Sequence, residues 1–142
     1  MRLMTNEWLK AASDDLLSIE KLIVVEHLSH IVAFHAQQAI EKSFKSLFEE
    51  FQIEIPKIHK LINLHKILEE KIKDIDEIML YRLDQLYIES RYPGDLGLLP
   101  NGKPTREDAK MFYDFAILIF SRICDLLGVD KNEYLHQLKE HC

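Results

Sequence analysis

Ser29-His30-Ile31-Val32-Ala33-Phe34-His35-Ala36-Gln37-Gln38-Ala39-Ile40-Glu41-Lys42-Ser43-Phe44-Lys45-Ser46-Leu47-Phe48-Glu49-Glu50-Phe51 is a stretch with no Gly or Pro. Within it Ala33, Ala36, Ile40, Phe44, Leu47 and Phe51 recur at three- and four-residue steps. That spacing is the apolar stripe of an amphipathic helix. At about 100° per residue, His35, Gln38, Lys42 and Lys45 fall within roughly a quarter-turn on the opposite side. A long helix with a continuous apolar stripe must bury it against other helices, so the stretch points to an all-α fold.

The flanking sequence repeats the pattern. Upstream, Leu9, Ala12, Leu16, Ile19 and Ile23 form a second stripe, with Thr5 as the expected N-cap and Glu7 in the first turn. Trp8 is placed to cover one end of the core, and a break around His27 to Ser29 separates the two helices. Downstream, Ile53 to Lys60 contains Pro56 and reads as a connection. Leu61, Leu64, Leu68 and Ile72 predict a short third helix, and Ile75, Ile78, Met79, Leu83 and Leu86 a fourth. Arg91 to Pro104 is the long loop, punctuated by Pro93-Gly94 and Asn101-Gly102. Thr105 and Asp108 form a capping-box signal. After it come Ala109, Phe112, Ala116, Ile119, Ile123 and Leu127, with Gly128 as the stop. The expectation is an antiparallel up-and-down bundle of four main helices in one domain over residues 1–142, with residues 130–142 able to add a short C-terminal helix.

Composition narrows the function. The 142 residues are 47% hydrophobic and 30% charged, values of an ordinary globular chain. No run is long enough for a membrane span, and residues 1–30 carry acids and no signal-type apolar stretch, so a soluble, cytoplasmic protein is expected. A net charge of −6 opposes a broad nucleic-acid surface, although a small local site stays open. Cys124 falls in the apolar stripe of the last helix and reads as a core thiol. Cys142 has no partner at ligand spacing.

Two groups can carry chemistry. The polar arc His35, Gln38, Lys42 and Lys45 is either a solvated helix face or one side of a site. Ile31 and Phe34 lie on or beside the same arc and predict that something covers it, and Gln37 sits where an amide needs its hydrogen bonds satisfied. In the second group, Pro93-Gly94 has turn chemistry that holds Arg91 and Tyr92 in defined directions. Arg91 suits a phosphate, Tyr92 a base and Asp95 a ribose hydroxyl or an amine. Alternatively Arg91 pairs with Glu41 and ties the loop onto the second helix. Asp14 and Asp15 read as solvated. His59 and His65, six residues apart in different contexts, do not make a metal pair, and His136 and His141 lack ligand-type neighbours. No Gly-rich phosphate loop or Ser nucleophile motif is present.

The chain resembles the HEPN family of small helical domains from about Glu7 to Leu127. The resemblance lies in Ala12 to Leu22 with Asp15-Leu16, in Phe34-His35-Ala36-Gln37-Gln38-Ala39 with Glu41-Lys42, in Pro56 and His59 ahead of Leu61 and Leu64, and in Arg91-Tyr92-Pro93-Gly94-Asp95. It implies a dimerising bundle encoded beside a nucleotidyltransferase, with nucleotide binding in one branch. Another branch consists of metal-independent ribonuclease toxins, marked by an Arg followed by a His after about four to six residues. None of Arg2, Arg82, Arg91, Arg106 or Arg122 has that His.

The expected function is therefore a non-catalytic module that binds an ATP- or GTP-like nucleotide, or partners a nucleotidyltransferase in a toxin–antitoxin-like unit. Its site would be Gln38, Lys42, Lys45, Arg91, Tyr92 and Asp95, with His35 and Glu41 as further members. No cofactor or metal is expected, and a homodimer is, from Ile31, Phe34 and the loop residues Leu96, Leu98 and Leu99. The alternatives are an RNA-cleaving enzyme that uses His35, Arg91 and Tyr92, and a purely structural dimerisation domain.

Overall fold

The computed structural model of the protein describes residues 1–90 and 103–135. All regular structure among these residues is helical. The helices are α1 (Leu3–Leu22), α2 (Ser29–Glu50), the short α3 (Leu61–Ile67), α4 (Glu77–Ser90) and α5 (Arg106–Leu127), with a 3-10 turn at Glu26–Leu28 before α2. The long helices form the antiparallel bundle that the periodicity predicts.

Side-chain pairings fix the topology. Thr5 donates to Glu50 at 2.9 Å and Asp15 accepts from Lys42 at 2.7 Å, so α1 and α2 run in opposite directions. Tyr87 of α4 stacks on Phe34 of α2 at 5.6 Å, and Arg82 of α4 reaches Asp108 of α5 at 3.3 Å. Beyond α5, Tyr134 donates to Asn6 at 2.6 Å. Neighbours are therefore antiparallel, while α2 and α5 run parallel and pack across the bundle diagonal. Small residues permit that approach: Ala33, Ala36 and Ala39 on α2 and Ala109 and Ala116 on α5 are all buried. Phe44, Phe48, Phe112 and Phe120 fill the remaining volume.

The sequence expectations need five corrections here, the first being that α3 and α4 are shorter than predicted and leave Leu68, Ile72 and Ile75 in the connection between them. Helix α1 starts at Leu3 rather than after Thr5, because Arg2 and Thr5 both donate to Glu50 and pull the extra turn onto α2. Phe51 lies beyond the end of α2 and is 41% exposed beneath the Lys71 ammonium. Ile78 is 74% exposed, with Leu80 taking the core position beside Met79 and Leu83. Ile31 and Phe34 do not need a second molecule to cover them; both are partly buried within the chain, Phe34 by its stack on Tyr87. Two other expectations stand as written. Thr105 and Asp108 make a reciprocal capping box, and Gly128 closes α5 in the left-handed region at φ 71°.

The remaining polar groups in the core are answered locally. Ser43 and Ser46 of α2 donate to carbonyls of their own helix. Asp84 of α4 is buried and accepts from the backbone N–H groups of Leu61 and Ile62, so it caps α3 across space. Burial pushes the Asp84 carboxyl up against the opposing pull of those two amides.

The α1–α2 tie yields a pH prediction. The Arg2 backbone N–H, and next to it the Thr5 hydroxyl, hold the Glu50 carboxyl below its ordinary value of 4.5, despite a smaller opposing effect of burial. A depressed pKa means stability that is present above the unfolded value and lost as pH falls through the folded one. Glu50→Gln should melt below wild type at neutral pH, and thermal melts should show that gap closing once the pH drops below 4.5.

Candidate functional site

Helices α1 and α4 flank α2 without packing firmly on one another, and the arc of α2 between them is the floor of a trough. His35, Gln38, Lys42 and Lys45 lie along that floor. Successive steps of three, four and three residues keep them on one face, and ten residues of helix spread them over about 15 Å. They are half-buried rather than solvated, with 24% of the His35 side chain, 27% of Lys42 and 12% of Lys45 exposed.

The α1 wall supplies Asp15. Its carboxylate bridges two turns of α2, with Oδ1 at 2.8 Å from His35 Nδ1 and Oδ2 at 2.7 Å from Lys42 Nζ. A carboxylate only accepts, so this contact places the imidazole proton on Nδ1 and leaves Nε2 as the ring's second polar atom. Asp15 corrects the sequence reading of a solvated acid, since its side chain is only 9% exposed. Its neighbour Asp14 is exposed. On the other side, Glu41 of α2 is buried and accepts from Lys45 at 3.3 Å, with His59 Nδ1 at 3.6 Å. Lys45 also lies 5.1 Å over the Trp8 ring, so the α1 wall holds the ammonium from a second side.

Gln37 and Gln38 lead inward from the floor. Gln38 Nε2 donates to Gln37 Oε1 at 2.7 Å. Gln37 is completely buried. Its amide favours the charged form of Asp84, although Nε2 reaches no acceptor at full hydrogen-bond geometry.

The structure thus brings His35, Gln38, Glu41, Lys42 and Lys45 together and adds Asp15 and His59. Arg91, Tyr92 and Asp95, with the Pro93-Gly94 turn and Leu96, Leu98 and Leu99, lie outside the described residues, as do His136, His141 and Cys142. His65 does not join His59. It is buried, stacks on Phe44 at 6.0 Å and contacts the Ile72 carbonyl at 3.0 Å. No group of three or more potential metal ligands occurs among the described residues.

The chain as a whole matches a known family. The family model for the HEPN domain covers residues 5–127. The chain belongs to the HEPN domain family. The crystal structure of ST0689, an archaeal HEPN homologue, superposes with a TM-score of 0.63 at 25% identity, over 87% of this chain and 96% of that one. No curated protein matches. Arg122 of α5 donates to the backbone carbonyls of Lys73 and Asp74. No described helix of this HEPN domain is long and apolar enough to cross a membrane.

The buried carboxylate generates the test of this geometry. Asp15→Ala removes the acceptor shared by two partly buried side chains and should cost about 1–3 kcal/mol. Asp14→Ala should stay within about 0.5 kcal/mol of wild type. Urea denaturation of the two variants checks the contrast.

Proposed function

We propose that this HEPN domain is a non-catalytic module whose α1–α2 trough holds the phosphate of a nucleotide. We further propose that it serves a nucleotidyltransferase in a toxin–antitoxin-like pair, as the family resemblance implies. The observation that supports phosphate binding is the half-buried row of Gln38, Lys42 and Lys45 on one helix face. An ammonium has three donors, and each lysine spends one on a carboxylate, which orients it and leaves the others for a ligand. From His35 to Lys45 the row spans about 15 Å of helix, the length of a base, ribose and phosphate laid end to end. In this reading Arg91 adds a bidentate phosphate contact, Tyr92 a stacking surface and Asp95 an acceptor for a ribose hydroxyl. A homodimer belongs to the same proposal. Its support is the exposed Ile78, Tyr81 and Ile88 of α4, and a 16.8 kDa species in sedimentation would overturn it.

One observation favours a second reading. Asp15 holding His35 through Nδ1 leaves Nε2 as a base, the arrangement a ribonuclease needs to take a ribose hydroxyl proton. The missing Arg–His spacing weighs for the first reading.

Calorimetric titration with ATP and GTP separates the two. Wild type should bind, and Lys42→Ala or Arg91→Ala should weaken binding by about 10–100-fold, the value of one charge-assisted hydrogen bond. Transfer RNA incubated with the protein, with and without magnesium, should stay intact. Cleavage that disappears in His35→Ala would establish the second reading instead.

A further inference from the structure

The fixed charges of the trough cancel. Asp15 and Glu41 are answered by Lys42 and Lys45, each pair in direct contact. Among the described residues, two imidazoles contact these carboxylates. They are His35, at 2.8 Å from Asp15, and His59, at 3.6 Å from Glu41. His59 is 64% exposed and stands at the rim, whereas His35 lies on the floor.

Asp15 makes the protonation state of His35 decisive. With the Nδ1 proton committed to Asp15, neutral His35 presents a bare Nε2 lone pair, which repels an anionic oxygen. Protonated His35 presents an N–H donor at the same atom and gives the trough a net positive charge. The other groups facing it do not reverse this. Lys42 shares Asp15, the Phe34 ring lies edge to face with the imidazole at 5.4 Å between centroids, and Tyr87 of α4 is stacked behind Phe34. A net charge of −6 on the whole chain further opposes anions while His35 is neutral.

We propose that the trough binds anions of the phosphate and sulfate class by taking up a proton on His35, so that ligand binding and protonation are one coupled event. This rests on the phosphate reading above and adds its regulation. Linkage sets the sign: a bound anion raises the His35 pKa, so affinity is highest below the free-state value and falls as pH rises through the imidazole range. One proton gives a fall of up to about tenfold per pH unit.

The probe must not titrate itself, so sulfate is used beside ATP. Affinities are measured by calorimetry between about pH 5.5 and 8, across the ordinary His value near 6.5. Buffers of different ionisation heat are compared to count the protons taken up. Wild type should lose sulfate affinity steeply with pH and take up close to one proton. His35→Gln should bind with a flat profile, and His59→Gln should keep most of the slope. In wild type, the His35 ring resonance followed by NMR should titrate at higher pH with sulfate present, a readout that needs no variant. Sulfate binding that is independent of pH, a slope that survives His35→Gln, or an unmoved resonance overturns the coupling and leaves the phosphate reading standing. No binding of either probe at any pH overturns both.

Discussion

Every other helix of the bundle packs on α2, so each polar group it carries must be answered by an immediate neighbour or lie in the narrow arc between α1 and α4. This constraint organises the molecule. The serines bond to their own helix, Gln37 takes the Gln38 amide, and Glu41 takes Lys45. Asp15 arrives from α1 to hold His35 and Lys42. The candidate site is thus a by-product of placing a helix with so many polar residues at the centre. Because its lysines are held at carboxylates, the candidate site is preorganised but electrostatically balanced.

The fold was legible because period and punctuation agree. The α2 stripe runs to within one residue of the observed helix end, and Thr105, Asp108 and Gly128 mark both ends of α5. Errors arose where a residue was assigned by type and not by angle. Asp14 and Asp15 look alike in sequence, yet on a helical wheel Asp15 lies about 40° from Ile19 at the edge of the stripe and Asp14 about 140° away. That angle was the available signal. Ile78 failed for the matching reason, since it lies about 145° from the centre of the arc formed by Met79, Leu80 and Leu83.

The floor of the site was visible in the spacing of His35, Gln38, Lys42 and Lys45, but its walls were not. Asp15 and His59 meet α2 only after the chain has turned twice, and no local pattern encodes which acid faces which base. Glu41 was one alternative partner for Arg91, which lies outside the described residues; within them it accepts from Lys45 one turn along its own helix, a pairing that intrahelical spacing allows.

Asp84 has a consequence for the order in which the chain becomes stable. Helix α3 has only seven residues, too few to persist alone, and its first two amides are satisfied by a carboxylate 23 and 22 positions further along the chain. It therefore has no stability independent of α4. The two helices form one cooperative unit, closed by a contact that is long in sequence and short in space. Gln37 abuts the same carboxylate from α2, so an opening of this unit would be felt at the trough floor through its neighbour Gln38.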